Sequence, residues 1–463
     1  MNRLTAVSPA PHPLSEDDES LWRTATEVLD ANWRTDHTVP SGTLYPHQWS
    51  WDSAFISIGL AHIAPDRAWR DLRSLFEAQW PDGRVPHIVF DLGVAERDYF
   101  PGPDFWDVPA MSGRPPRFST GLVQPPAHAL AAWEVYRRAP GDASAEELRR
   151  LYPRLVALQD YLIGSRGVSG TGLASIVHPW ESGLDNSPSW DMALANVTAD
   201  EDLLLRYERQ DLKRAAADHR PTNDDYARYI AIAATYRNGG YSDVDLVDRH
   251  LFVVECPAYN SLLGAAEHAL ARIAAVVGAD PAPHRERAAT ITRSIVERLY
   301  DPESGTFRSL DLKTGKLSTQ RCVNGLFPLI LGDLPRDIVA QVVAEAESAR
   351  FGINELMPIP SSDRTADSFD ANRYWRGPVW INANWLLARG LAAHGYAGHA
   401  ATLRTAMLDL VRRSGYYEYF HPITGNGIGA GAFSWTAALV LDMLAEVGPR
   451  IGDPGTTQMS RTR

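Results

Sequence analysis

Four stretches of this 463-residue chain set charged side chains, carboxylates in three of them, among aromatic rings. The first is Tyr45-Pro46-His47-Gln48-Trp49-Ser50-Trp51-Asp52. The second, His178 to Asp191, carries Glu181, Asp185 and Asp191 with Trp180 and Trp190, broken by Pro179, Gly183 and Pro188. The third is Tyr374-Trp375-Arg376-Gly377-Pro378-Val379-Trp380. In the fourth, Glu418 stands within Tyr416-Tyr417-Glu418-Tyr419-Phe420. A pyranose ring offers C–H faces that stack on indole and phenol, and hydroxyls that pair with Asp, Glu, Arg and Gln. Cleaving its glycosidic bond takes two flanking carboxyl groups, one protonated and one ionised. The residue types therefore fit a site that holds and hydrolyses a sugar. Each stretch also has a plainer account. Asp52 can cap the helix announced by Ala54, Phe55, Ile56 and Ile58, with both Trp in the core. Asp185 can be a turn residue and Asp191 a cap. Arg376 can brace an aromatic corner, and Glu418 can lie half-exposed on a strand edge.

Other chemistries lack their residues. There is no His-Glu-x-x-His, no Cys-x-x-Cys and no Gly-x-Ser-x-Gly, and Gly315-Lys316 lacks the rest of a P-loop. Gly425, Gly427, Gly429 and Gly431 alternate outside any βαβ pattern, which predicts a flexible loop. Two cysteines, Cys256 and Cys322, exclude a disulfide scaffold or a four-cysteine metal site. With 45 Lys and Arg against 57 Asp and Glu, the net charge of −12 speaks against nucleic acid or an anionic membrane surface as partner. No apolar run reaches the length of about 18 residues that a membrane span needs. Met1 to Ser20 has no apolar core of a secretory signal, so the cytoplasm is the expected location.

The elements that must position these residues are mostly helical. Leu148, Leu151, Tyr152, Leu155, Leu158 and Leu162 recur at helical spacing behind a Ser144–Glu147 capping box, with Pro153 able to kink the helix. Pro65 opens a helix with Leu72, Leu75 and Phe76 on its apolar face. Tyr259 to Ile273 continues the pattern until Gly278 stops it. Arg336 to Ala349 and Trp385 to Leu391 are similar. Leu299 to Leu317 reads as a small hairpin with glycine turns. Helices alternate with loops rich in Trp, Gly, Pro and carboxylate near 45–52, 98–107, 178–191, 363–380 and 416–435. Helix pairs whose loops converge at one end predict an α/α toroid with its site there; a bundle or solenoid is the alternative. No linker divides the chain. The reading is one unit over 14–447 between tails at 1–13 and 448–463.

The strings YPHQWSWDSAF, PHIVF, YFPGP, QPPAHA, HPWESGLDNSPSWD, YWRGPVW and SWTAA run in order from about residue 45 to 436. Together they resemble glycoside hydrolase family 63, and within it the bacterial glucosylglycerate and mannosylglycerate hydrolases. The resemblance implies an all-α (α/α)6 barrel with helical insertions, an inverting mechanism, and no metal or organic cofactor. It places the general acid on Asp185, with Gly183 beside the sugar, and the general base on Glu418. It assigns Trp49, Trp51, Asp52 and Trp180 to the sugar ring. Tyr45, Tyr99, Gln124, Arg220, Tyr226, Tyr374 and Trp375 would line the rim and the acceptor. Where the glucosylglycerate enzymes carry a Gln pair before SWTAA, this chain has Ala432-Phe433. The implied partner is a small glycoside, glucosylglycerate first and mannosylglycerate next, with Arg220 reading an acceptor carboxylate. A neutral disaccharide, or a sugar-binding barrel without catalysis, is the alternative, and a homo-oligomer is left open.

Overall fold

A computed structural model describes residues 10–446 apart from 96, 97, 109–117, 201, 203, 204, 206–208, 214, 215 and 356. The tails expected at 1–13 and 448–463 therefore lie outside the described residues, except for 10–13. There His12 Nε2 reaches the Leu444 carbonyl at 3.0 Å, which ties that stretch to the barrel.

Six helical segments close a ring. In order they are Ser50–Ile63, His128–Arg138, Pro257–Val277, the 3-10 turn Phe327–Ile330, Ile381–Ala393 and Ser434–Ala445; each packs on the next and the last returns to the first. Ser50–Ile63 is buried at every position except His62. A helix that is apolar on all sides has neighbours on all sides. The outer helices are amphipathic instead. Pro65–Phe76 buries Ala68, Trp69, Leu72, Leu75 and Phe76 and turns Asp66 and Arg70 to solvent. Glu16–Asn32 backs Ser434–Ala445, Asp142–Gly164 and Ala282–Leu299 back Pro257–Val277, and Ala397–Ser414 backs Ile381–Ala393. The architecture is the (α/α)6 barrel that the resemblance implied. No helix among the described residues is long and apolar enough to cross a membrane.

Local readings fare unevenly. Pro257–Val277 ends at Gly278, whose φ of +82° is the left-handed stop. Asp142–Gly164 runs through Pro153 unbroken. Its predicted capping box does not form. The helix starts earlier, at Asp142, so Ser144 lies inside it and donates to the Ala139 carbonyl, while Glu147 pairs with Arg73. The single hairpin is two. Tyr300–Asp301 pairs with Thr306–Phe307, and Leu310–Asp311 pairs with Lys316–Leu317. The second also joins Val254–Glu255 and Ser175–Ile176 in a four-stranded sheet.

The ring's two ends differ. The C-terminal ends of its helices are sealed by buried charge. Arg138 bonds both Glu134 and Asp442, Trp385 Nε1 donates to Asp442 at 2.9 Å, and Arg389 donates to Glu134 at 2.7 Å. The N-terminal ends are open and carry the aromatic stretches.

Candidate active site

Trp51 and Asp52 occupy the first turn of Ser50–Ile63, so Asp52 does not cap that helix. Gln48–Trp49 pairs antiparallel with Ile88–Val89 and fixes the entry. Gln124 lies just before His128–Arg138, Tyr374 to Trp380 before Ile381–Ala393, and Phe433 before Ser434–Ala445. The first and third aromatic stretches thus run directly into ring helices, and the loop 178–191 and the Tyr416–Phe420 stretch meet them in one cavity at the same end.

The loop 177–191 shows how one stretch divides its carboxylates. Glu181 is fully buried and receives Arg166 at 2.8 and 2.9 Å, the Val177 N–H at 2.8 Å and the Val123 N–H at 3.2 Å. It holds the loop's shape. Asp191 receives a two-pronged Arg376, at 2.8 and 2.6 Å, on an outer surface. Of the three, Asp185 faces the cavities that the aromatic stretches enclose. Gly183 is obligatory beside it: φ is +70°, and a Cβ there would stand 2.6 Å from the Trp51 indole.

Two cavities meet at Asp185. The inner one, about 330 Å³, is lined by Trp51, Asp52, Gln124, Gly183, Trp375, Trp380, Glu418, Phe433 and Trp435. The outer one, about 650 Å³, is lined by Asp98, Tyr99, Trp180, Gln210, Asp211, Arg220 and Tyr226. Asp185, Tyr45, Trp49 and Tyr374 line both. Tyr99, Arg220 and Tyr226 thus stand on the outer side, and Trp51, Asp52 and Gly183 on the inner. Three residues line a cavity apart from the residues they were expected to accompany. Trp180 faces the outer cavity, because the turn Pro179–Ser182 lays its ring against His178, Tyr226 and Tyr229. Gln124 and Trp375 are inner rather than rim residues. Gln124 Oε1 accepts the Trp51 N–H at 3.1 Å, and Trp375 stacks on Trp380 at 3.9 Å.

The two carboxyl groups live in different surroundings. Glu418 Oε1 accepts the Tyr45 hydroxyl at 2.7 Å and Oε2 accepts the Ala430 N–H at 3.1 Å. Burial pushes Glu418 upward, while Arg220 and these hydrogen bonds pull it back toward ionisation. Burial lifts Asp185 to about 7; Arg220 opposes this and Glu418 adds to it. Tyr229 holds the loop by donating to the Asp185 carbonyl at 3.2 Å, leaving the carboxyl to the cavity. Asp52, 4% exposed, is pushed well above the carboxylate range by burial and then by Glu418. The indole N–H groups of Trp49 and Trp435 are buried donors without a partner among the described residues. One cavity thus holds a carboxyl poised to carry a proton, one inclined to accept a proton, and donors awaiting acceptors.

Three structural devices position these groups. Tyr374 adopts φ +44°, rare for a bulky residue, and Trp380 Nε1 holds its carbonyl at 3.0 Å. Arg220, 8% exposed, stacks on the Tyr374 ring at 4.3 Å and donates to the Tyr45 hydroxyl at 3.1 Å and to Asp211 at 3.2 Å. Arg209 grips Asp211 from behind at 2.8 and 3.2 Å. Sequence reasoning missed Arg209 and Asp211, whose only signal was mixed charge in a polar segment. The alternating glycines form no flexible loop. Gly427–Ile428 pairs with Tyr419–Phe420, and a Cβ on Gly429 would lie 2.5 Å from Glu418 Oε2.

Comparison with known proteins gives a consistent result. The family model described as the mannosylglycerate hydrolase MGH1-like glycoside hydrolase domain matches residues 45–436. The chain is 39% identical to a mannosylglycerate hydrolase of Rubrobacter radiotolerans, over 94% of this chain and 99% of that one. It is 34% identical to a glucosylglycerate hydrolase of Mycolicibacterium hassiacum, over 94% of this chain and 100% of the other. The crystal structure of a GH63 mannosylglycerate hydrolase from Thermus thermophilus, in complex with Tris and D-glycerate, matches with a TM-score of 0.85. The identity there is 39%, covering 91% of this chain and 99% of that one.

Proposed function

The chain belongs to the mannosylglycerate hydrolase MGH1-like glycoside hydrolase family, and from that premise we propose that it cleaves an α-hexosylglycerate with inversion. The observation that carries the proposal is the position of Asp185 at the junction of the two cavities. A general acid must stand at the glycosidic oxygen, between sugar and leaving group. The inner cavity supplies what a sugar needs: indole faces, the carboxyl of Asp52, Gln124 and the unspent N–H groups of Trp49 and Trp435. The outer cavity supplies a cation. Two guanidinium groups, Arg209 and Arg220, surround the single carboxylate of Asp211. Because Arg209 also holds Asp211, Arg220 can turn its guanidinium to an anionic aglycone.

In this reading Asp185 gives its proton to the glycosidic oxygen as the C–O bond breaks. Water attacks the opposite face of the anomeric carbon and Glu418 takes its proton. Tyr45 holds Glu418 in orientation. Asp52, kept neutral by burial, both donates to and accepts from sugar hydroxyls. Mannosylglycerate stands ahead of glucosylglycerate, the reverse of the order drawn from the motifs, because relatives named for it are more similar to this chain. A neutral disaccharide loses its main argument. Phe433 packs its ring on Tyr45 and Trp435 and lines the inner cavity, so the departure from the Gln pair bears on the sugar side.

The test is proton NMR of the first product. Mannosylglycerate, glucosylglycerate and trehalose are each incubated with the enzyme and the anomeric signals followed in time. The β-anomer should appear first, from the glycerates at far higher kcat/KM than from trehalose. An α-anomer first would exclude inversion, and preference for trehalose would exclude the anionic aglycone.

A further inference from the structure

Arg220 touches both halves of the site. It lines the outer cavity with Asp185, and its Nη1 donates to the Tyr45 hydroxyl that in turn donates to Glu418. We propose that the outer cavity takes up its anionic aglycone together with a proton, the carboxylate pairing with Arg220 and the proton residing on Asp185. The inference rests on the aglycone assignment above and adds a role for the substrate's own charge: it keeps the acid armed.

Electrostatics sets the direction. In the open site the guanidinium favours the ionised form of Asp185, and its field is only partly offset by Asp211. A carboxylate seated on Arg220 cancels that field and adds its own negative charge beside Asp185. Both effects favour the protonated acid. By linkage, a ligand that favours the protonated form must itself bind more weakly where that form is scarce.

The other groups around Asp185 do not compete for the proton. Tyr99, the helix residues Tyr226 and Tyr229, and Tyr374 are all pushed upward, first by burial, and stay neutral. His87, which lines the outer cavity, is pushed well down by burial and is also neutral. Asp98 lies at the exposed rim. Asp52 feels Glu418, Asp185 and Asp71 rather than Arg220. Glu418 also feels Arg220, and hydrogen bonds from Tyr45 and Ala430 oppose the upward push of its burial. Asp185 faces the cation with a hydrogen bond from its own backbone N–H. Above pH 7 charged and neutral glycosides meet the same ionised acid, so kcat/KM falls alike for both, whereas at saturation only the charged aglycone keeps the proton on Asp185 and so carries kcat to higher pH.

The experiment is calorimetric titration of D-glycerate into the enzyme between pH 5.5 and 9, in buffers of different ionisation enthalpy. The ligand's carboxylate stays charged throughout this range. Affinity should be flat below about pH 6.5 and weaken by about tenfold per unit above about pH 7, with close to one proton taken up per glycerate. In Asp185→Asn, binding at pH 6 should persist while the slope and the proton uptake disappear. A flat wild-type profile would overturn the coupling and leave the aglycone assignment standing. A slope retained in Asp185→Asn would place the proton elsewhere and also overturn it. No glycerate binding at any pH would remove both.

Discussion

Replacing Asp185 with Asn should make the protein more stable while ending its turnover. The folded protein holds the Asp185 carboxyl near 7 against an ordinary value of 3.8, chiefly through burial. Between those two values the folded state binds more protons than the unfolded chain. Stability is therefore lost as pH rises through that window. A displacement of about three units at 1.36 kcal/mol each is about 4 kcal/mol. The carboxyl opens onto cavity water, which screens it, so about 2–4 kcal/mol is the expected gain at pH 8. Asn keeps the shape and has no charge to bury. An unfolding entropy of about 2.1 cal/mol/K per residue gives about 1 kcal/mol/K for a chain of this length, so Tm should rise by about 2–4 °C. Thermal melts of both proteins from pH 4 to 9 provide the measurement. The gap should open above about pH 4 and level off above about pH 7. In parallel, wild-type kcat/KM should fall above about pH 7 as the acid loses its proton, and Asp185→Asn should lose about 10²–10⁴ in kcat. Greater stability of wild type at pH 8, or a gap at pH 4 equal to the gap at pH 8, would refute this account of the carboxyl.

Glu418→Gln should melt close to wild type and lose about 10²–10⁴ in kcat, whereas Tyr45→Phe, which removes the 2.7 Å bond to that carboxylate together with the hydroxyl's contacts to Arg220 and Tyr374, should lose about ten- to a hundredfold in kcat/KM. Steady-state rates on melt-matched preparations check both. Gly429→Ala places a methyl 2.5 Å from Glu418 Oε2 at a φ of +75°, so the carboxylate must move; kcat should drop more than KM rises, and unchanged kinetics would show that the base tolerates displacement. Arg138→Met strips the buried Asp442 of its main partner at the closed end and should cost about 3–5 kcal/mol in urea unfolding, with kcat well below Tm unaltered.

Legibility followed locality. YPHQWSWD could be read because the residues that stack on and bond a ring are contiguous at the start of one helix. Gly278 and Pro65 could be read because their backbone constraints act within one turn. The ring's fourth member could not: Phe327–Ile330 is too short to show a period, and only its packing between Pro257–Val277 and Ile381–Ala393 makes it part of the barrel. The two hairpins were visible as glycine turns, but the pairing of Leu310–Asp311 with Val254–Glu255 is long-range and has no local trace.

The site shows the same limit more sharply. Glu181 and Asp185 lie four residues apart in one loop, both carboxylates, both near tryptophan. Nothing local says which is scaffold. The answer comes from Arg166, fifteen residues upstream, which reaches Glu181 and not Asp185. In the same way Arg376 was equally readable as brace or binder until Asp191 took both its prongs, while Arg220 escaped that fate because Arg209 satisfies Asp211 from the other side. On the proposed mechanism, what separates a working carboxyl from a structural one is whether the fold supplies it with a permanent cation. Glu181 and Asp191 have theirs. Asp185 and Glu418 share a single guanidinium that also faces the outer cavity, so their protonation stays open to whatever anion enters there.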